Sequence, residues 1–476
     1  MEDLVTLAIN HARSLGAEYA EARWQRSSGG MLLLRNGMLE AGGLVCVEGI
    51  GIRALVEGAL GFASTNVLTK EAVRTAAEEA VRMARAARRL LRHPVRMAAS
   101  EVYRDRVEVS EQQPVEHIGL EDRLKFCQEI DRALQEVKEV RVPMRVVQLG
   151  WGWDERLFMN SEGAEIRSRI PRIYVRAQTT AMHPQRGVVQ KGIDRGGVGG
   201  WEIVSKYQPI EESRQLAQTL ERVLMEGVAP PTGRMDVVLG SEVVGLACHE
   251  SCGHPSEADR IMGREAAQAG ESFITPDMLG TRIGSDLVTI VDDPTVEGGF
   301  GYYLYDDEGV KARRKFLYKE GVINELLHNR ETAAALGVES NGSARAVAYN
   351  REPIIRMSNT FLLPGDFTVE ELIEGVREGV YVVSFMEWNI DDRRWNQRYV
   401  GLEAYRIENG ELKELVRDPV LEITTKGLWS SVDAVGKDLE FWAGMCGKGD
   451  PMQACPVWIG GPSVRLRNVH IGRRSA

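Results

Sequence analysis

The sequence predicts an α+β protein, with an N-terminal α/β domain at 1–230 and a β-rich C-terminal domain at 231–476 that carries a metal-binding helix. Three observations predict it. Amphipathic helical stripes alternate with period-two strands up to about residue 227, and strand-like runs dominate after residue 233. Between them Pro230-Pro231-Thr232-Gly233 reads as a linker, which puts the boundary near residue 230.

Taken in order, residues 2–15 space Leu4, Leu7, Ala8, Ala12 and Leu15 as a helical stripe. Ala20, Ala22 and Trp24 then alternate with Glu21, Arg23 and Gln25, a half-buried strand. Asn36-Gly37 suits a tight hairpin turn after Met31–Arg35. Residues 49–66 read as strand, turn, strand. Their Gly-x-Gly opens no helix, so a nucleotide-binding reading is set aside. Thr69 is the expected cap of an Ala-rich helix to about Arg92, where basic residues suit the dipole and Pro94 stops it.

A second helix is expected at 120–137, with Leu120, Leu124, Cys127, Ile130 and Leu134 in register. Strands and hairpins follow over 139–205, broken at Asn160–Gly163 and at the glycines of 196–200. A third helix spans 211–226 and ends at Gly227. In the second half Met235–Leu239 is a strand feeding a helix capped by Ser241. Further strands are expected at Leu287–Val291, Phe316–Lys319, Val322–Leu327, Ile354–Met357 and Tyr381–Phe385. Short helices are expected at 329–336 and 368–378, and a hairpin at Asn409-Gly410.

The composition bounds the function. A 476-residue chain with 43% hydrophobic and 27% charged residues is ordinary for a globular protein. A formal net charge of −10 argues against nucleic acid as a direct partner. No apolar run approaches the length of a membrane-spanning helix, and the opening Met1-Glu2-Asp3 is acidic where a signal peptide would be basic. Six scattered cysteines make no disulfide framework. A cytoplasmic location is expected.

The chemistry concentrates in Ala247–Asp259, where His249-Glu250 and His254 make an HExxxH pattern. In the familiar HExxH peptidase motif both histidines fall on one helical face. One residue more leaves the two side chains about 140° apart on a regular helix. A π-bulge, or a break at Gly253, would bring them together, and such bulges favour functional sites. Pro255 opposes simple continuation of the helix. A competing reading takes Cys248 and Cys252 with the histidines as a closed structural zinc site that hydrolyses nothing.

Several stretches together resemble the TldD/PmbA metallopeptidase family. They are GIGIRALVEGALGFAST at 49–65, VVLGSEVVGLACHESCGHPSEAD at 237–259, DDEG at 306–309, RMSNT at 356–360, Cys446-Gly447-Lys448 and Gly460-Gly461-Pro462. The resemblance runs over nearly the whole chain and is to the TldD-type subunit, the one that carries HExxxH. It implies a zinc peptidase with His249, His254 and Cys446 as ligands and Glu250 as the base. It also implies a dimer, with a PmbA/TldE-type subunit or with itself, acting on unfolded peptides in an enclosed site. The chain departs from the family pattern at Cys252, where an apolar residue is usual. It departs again over 391–399 (DDRRWNQRY), which replaces a glycine-containing segment.

Two imidazoles and a thiolate leave a fourth zinc position for water, the arrangement of a catalytic site. Glu250 would take the water's proton and return it to the leaving amine. Glu257 or Asp259 could orient a ligand histidine. Arg356 and Asn359 are the candidate substrate-binding residues; for Arg356, oxyanion or substrate contact competes with a structural role in a hairpin. Cys46, Cys127 and Cys455 read as small buried residues. The alternative function is a non-catalytic or regulatory zinc-binding subunit of a peptidase complex.

Overall fold

The computed structural model describes residues 1–265 and 270–474. Seven strands between Tyr19 and Val198 form one sheet. Its path runs Ala59–Thr65, Met38–Val56, Tyr19–Arg35, Arg141–Asn160, Glu165–His183, Arg104–Glu108, with Gly187–Val198 also paired to Glu165–His183. The two strands expected near Ala20–Gln25 and Met31–Arg35 are one 17-residue strand. Glycines make this possible. Gly29 lies opposite Gly152, and a Cβ on Gly29 would come within 2.1 Å of the Trp151 carbonyl oxygen. Side chains there would break the pairing; bare backbone carries it through.

Two helix pairs cover this sheet. Glu2–Ser14 and Lys70–Arg88 bury Ala20, Ala22, Trp24, Ile50 and Ile52. Leu120–Ala133 and Pro209–Glu226 bury Leu32, Leu34, Val147 and Leu149. Thr69 caps its helix as expected, accepting from the Ala72 N–H at 3.3 Å. That helix stops at Arg88, short of Arg92; Leu90 beyond it is 86% exposed and lends no core packing to a further turn. Leu120 likewise lies outside the core, at the exposed start of its helix.

The opposite face of the first strand is polar yet buried. Arg23 donates to the carbonyls of Ala348 and Arg351, each at 3.0 Å. Arg53 bridges Glu21 at 2.9 Å and Glu308 at 2.6 Å. These contacts seat the C-terminal half on the sheet, so the 49–65 and 306–309 stretches meet in one network. The Gly-x-Gly has a packing purpose. A Cβ on Gly49 would meet the Tyr349 ring at 2.4 Å, and one on Gly51 the Tyr349 carbonyl at 2.2 Å.

The C-terminal half holds a nine-stranded and a six-stranded sheet. In the larger, Gly233–Leu239 runs parallel to Glu378–Val382 and antiparallel to Val464–Arg473. The smaller runs Val322–Ile323, Lys315–Lys319, Ile290–Asp292, Asn359–Leu362, Gln453–Gly461, Glu440–Lys448, the last being an edge. Several expected strands shorten or shift: Val322–Leu327 keeps only Val322–Ile323, and Ile354–Met357 keeps Ile354–Ile355. Leu326 and Met357 are buried in the core as loop residues, and Leu327 is buried there with one parallel bridge to Glu257, so their apolar character serves packing more than a ladder. The helices Arg330–Leu336 and Val369–Glu374 form, capped by Asn329 and Thr368. Among the described residues no helix is long and apolar enough to cross a membrane.

Candidate metal centre

Gly233–Leu239 leads through Gly240 into the helix Ser241–Cys248. Gly240, not Ser241, is the capping residue. The Val383 carbonyl stands 2.3 Å from where a Cβ on Gly240 would be, so the chain enters too close to its neighbour for a side-chain cap. The helix then packs glycine to glycine on the strand Gln453–Gly461. A Cβ on Gly245 would meet Gly460 backbone at 3.0 Å, and one on Gly461 the Val244 side chain at 2.7 Å.

At His249–Gly253 the helix widens into one π turn, and His254–Ser256 tightens into a 3₁₀ turn that accommodates Pro255. That irregularity is what an HExxxH pattern requires. The extra residue is absorbed within the turn, and the His249 and His254 rings meet edge to face with centroids 4.8 Å apart. Side chains hold the distorted turn. The Tyr318 hydroxyl donates to the Ser251 carbonyl at 3.0 Å, and the Trp429 indole N–H to the Ser251 hydroxyl at 3.0 Å.

Cys446, on the edge strand Glu440–Lys448, completes the group, with Sγ 3.5 Å from His254 Nε2. One ligand atom each from His249, His254 and Cys446 lies within 4.8 Å of the others, and all three residues are buried. Among the described residues His249 Nδ1 is buried without a hydrogen-bond partner, as suits an atom that can take an ion. Two imidazoles, one of them with this orphan nitrogen, and one cysteine sulfur fit a divalent cation such as zinc. Cys248 and Cys252 do not join the group. Both lie in the apolar core, and burial pushes both thiols up, away from the thiolate a metal would take.

Around the ligands lies a tight ionic frame. His254 Nδ1 meets Glu257 at 3.0 Å, which leaves Nε2 toward Cys446. Glu257 also accepts from Arg260 at 2.5 Å and lies 3.4 Å from Lys448 Nζ. Lys448 donates to both oxygens of Asp259, at 2.7 and 2.8 Å, and to the Ile355 carbonyl at 2.8 Å. Lys448 stands two residues beyond Cys446, so one lysine ties the cysteine strand to the histidine segment.

Charge in this frame is set by burial against partners. Burial opposes ionisation of Glu257, but Lys448, Arg260 and His254 outweigh it and hold the carboxyl well below its usual range. Burial pushes the Cys446 thiol up; His254 and Arg356 more than offset that and bring it down to about 7. Burial also lowers both candidate ligand histidines, which favours the neutral imidazole. Neutral imidazole and thiolate are the forms that bind metal.

Arg356 and Asn359, expected to touch substrate, have no exposed surface. Arg356 donates to the Gln453 carbonyl at 2.6 Å and to the Cys446 carbonyl, bracing the cysteine strand from behind. Asn359 joins the Asp293 carbonyl at 2.8 Å to the Gly301 N–H at 3.0 Å. Groups so enclosed cannot meet a substrate, and both belong to the frame. The structure also brings in a residue that sequence reasoning passed over. Arg394 pairs with the Glu250 carboxylate. The one signal for it was the departure from the family pattern over 391–399.

Comparison with known proteins places this geometry. Residues 232–473 match the family described as PmbA/TldA metallopeptidase C-terminal domain, 20–84 its domain 1, and 113–226 its central domain. A metalloprotease of Methanothermobacter thermautotrophicus is 33% identical over 96% of this chain and 95% of its own. A metalloprotease of Methanocaldococcus jannaschii is 30% identical over 94% and 96%. A zinc metalloprotease TldD homolog of Saccharolobus solfataricus is 31% identical over 56% of this chain and 58% of its own. In fold the chain resembles the crystal structure of TldE from Thermococcus kodakarensis, with TM-score 0.74, 18% identity and 99% coverage of both chains. With one such domain spanning over half the residues and a relative one-third identical almost end to end, the chain belongs to the PmbA/TldD family of metallopeptidases.

Proposed function

We propose that the chain is a zinc-dependent metallopeptidase that hydrolyses peptide bonds of unfolded peptides, with His249, His254 and Cys446 as ligands and Glu250 as the general base. One observation carries the reading: a carboxylate directly follows a ligand histidine at a buried site whose third ligand arrives 192 residues beyond His254 (446 − 254). When bound, zinc supplies Lewis acidity to the scissile carbonyl and to the attacking water. Glu250 takes the proton of that water and returns it to the leaving nitrogen. Glu257 holds the tautomer and orientation of His254.

The substrate form follows from access and edges. His249, Glu250, His254 and Cys446 are each at most 9% exposed, which a rigid folded surface cannot reach. Cys446 lies on an edge strand with Met445 half exposed beside it, so an extended peptide can add as a further strand within reach of the ligands. The chain works as a dimer, with itself or with a TldE-type subunit. Support comes from the hairpin strand at 38–47, which pairs on one side only and exposes Met38, Leu39, Leu44, Val45 and Val47.

The test is Glu250→Gln, assayed beside the parent on one polypeptide offered folded and unfolded. The variant is expected to keep its metal and lose cleavage by at least about 10²-fold, and the parent to cut only the unfolded form. Comparable turnover by the variant at equal metal occupancy would remove Glu250 from the role. Efficient cutting of the folded form would remove the substrate assignment.

A further inference from the structure

The hairpin strands Phe385–Ile390 and Asn396–Gly401 are joined by a turn that lies over Glu250. The turn is built to hold one side chain inward. Asp391 accepts from the backbone N–H groups of Trp395 at 2.8 Å and Asn396 at 3.0 Å. The Trp395 ring packs edge-on against Phe273 with centroids 5.0 Å apart. The Thr425 hydroxyl donates to the Arg394 carbonyl at 2.7 Å. Arg394 itself has φ +65°, a left-handed conformation that disfavours non-glycine residues. Glycine would suit the backbone; arginine is there for its side chain.

That side chain is buried, with the residue 8% exposed. It pairs with Glu250 through Nη1 only. Its Nε–H is buried and has no hydrogen-bond partner among the described residues. A cation beside the general base therefore keeps a donor in reserve.

We infer that Arg394 stabilises the negatively charged oxygen that develops on the scissile carbonyl. The inference rests on the peptidase reading above. At rest the guanidinium neutralises the Glu250 carboxylate. As the water oxygen bonds to the carbonyl carbon, its proton passes to Glu250 and the carbonyl π pair moves onto oxygen. The negative charge leaves Glu250 and reappears on an atom sharing its carbon with the attacking oxygen. Arg394 then follows the charge from one oxygen to the other with a small side-chain rotation and no net change in charge. When the adduct collapses, the C–N bond breaks, the proton moves from Glu250 to the leaving nitrogen, and Arg394 returns to the regenerated carboxylate. A group attracted more strongly to the transition state than to the bound substrate accelerates the chemical step. Arg356, the other arginine near the site, is placed differently: its two Nη groups donate to the Gln453 and Cys446 carbonyls behind Cys446, and the residue has no exposed surface.

The experiment uses three full-length, metal-loaded variants. Arg394→Gly removes the side chain while relieving the left-handed backbone, so it should fold at least as well as the parent. Arg394→Gln keeps bulk, and Arg394→Lys keeps charge without the fork. Each is assayed on a fluorescence-quenched unfolded polypeptide. Each is also titrated calorimetrically with a phosphinic peptide, whose tetrahedral phosphorus imitates the adduct. Metal content and thermal melting are measured in parallel. Arg394→Gly and Arg394→Gln are expected to lose about 10²–10³-fold in kcat, with KM within about threefold. Phosphinic-peptide affinity should fall in proportion to kcat/KM, and Arg394→Lys should recover part of both. Arg394→Gly with full metal and kcat within about threefold of the parent would overturn the inference and leave the peptidase reading standing. So would a loss confined to KM, or unchanged phosphinic-peptide affinity. A parent that cuts no peptide would overturn both.

Discussion

Cys446 and Cys252 are both buried cysteines, and their surroundings assign them opposite fates. His254 and Arg356 bring Cys446 down to about 7 against the pull of burial, whereas burial pushes Cys252 well above the usual thiol range. Cys446→Ser should therefore cost metal affinity heavily, while Cys252→Ala, which empties a small core space, should retain metal. Metal retention on dialysis checks the ranking, and the reverse order would rule it out. His328 offers a test by pH. Burial, with the nearby Arg313 cation adding to it, lowers its pKa from 6.5 to about 4. The folded state keeps it neutral where the unfolded chain would bind a proton. Its contribution is thus fully present above pH 6.5 and is lost as pH falls toward 4, a loss of about 3 kcal/mol. His328→Gln should flatten that acid limb in thermal melts between pH 6.5 and 4; an unchanged slope would show that other groups set it.

The motif helix works because two elements approach at backbone distance. Ser241–Cys248 lies on Gln453–Gly461 with Gly245 over Gly460, and the π turn that follows turns both histidines toward the adjoining edge strand. Gly245→Val would place side-chain carbons where the Gly460 backbone stands. That backbone cannot retreat without carrying Glu440–Lys448, and Cys446, with it. Metal affinity should fall by about tenfold or more, as when the support of a ligand is disturbed. Gly253→Ala meets only the end of the Met357 side chain, which can move aside, and should cost far less. Metal titration of the two variants distinguishes a rigid contact from a flexible one.

Across the whole molecule, buried ion pairs join the N-terminal sheet to the C-terminal half, while an apolar strand remains uncovered. Arg53 with Glu21 and Glu308, and Arg156 with Asp307, fill the junction. Leu44 at 82% and Val45 at 58% exposure lie toward the other end of the strand that carries Arg53, on an edge that no described strand covers. If that edge is where two subunits meet, a Leu44→Lys, Val45→Lys double variant should halve the mass seen by light scattering. An unchanged mass would move the interface elsewhere. A monomeric variant that still cuts unfolded polypeptide at the parent rate would show that the second subunit encloses nothing needed for cleavage.

Local periodicity and motif spacing by themselves determined that helices lie near 2–15, 69–92, 120–137 and 211–226, with the ends of the middle two overrun, that Met235–Leu239 feeds a helix, and that His249, Glu250 and His254 lie on one short segment. These properties reside in residues a few positions apart, where pattern and steric preference act directly. The spacing also showed that a regular helix could not serve HExxxH and left a π-bulge or a break at Gly253 as the remedies; the π turn is the one that forms. The resemblance supplied Cys446. Only the tertiary structure decided the rest. Arg356 and Asn359 became framework because neighbouring strands closed over them. The Gly-x-Gly of 49–51 became a seat for Tyr349, and Arg394 came to rest on Glu250 from 144 residues away. The physical reason is the same in each case. Whether a polar side chain meets substrate, metal or backbone depends on which distant segment is packed against it, and a sequence states its neighbours along the chain but not those across the fold.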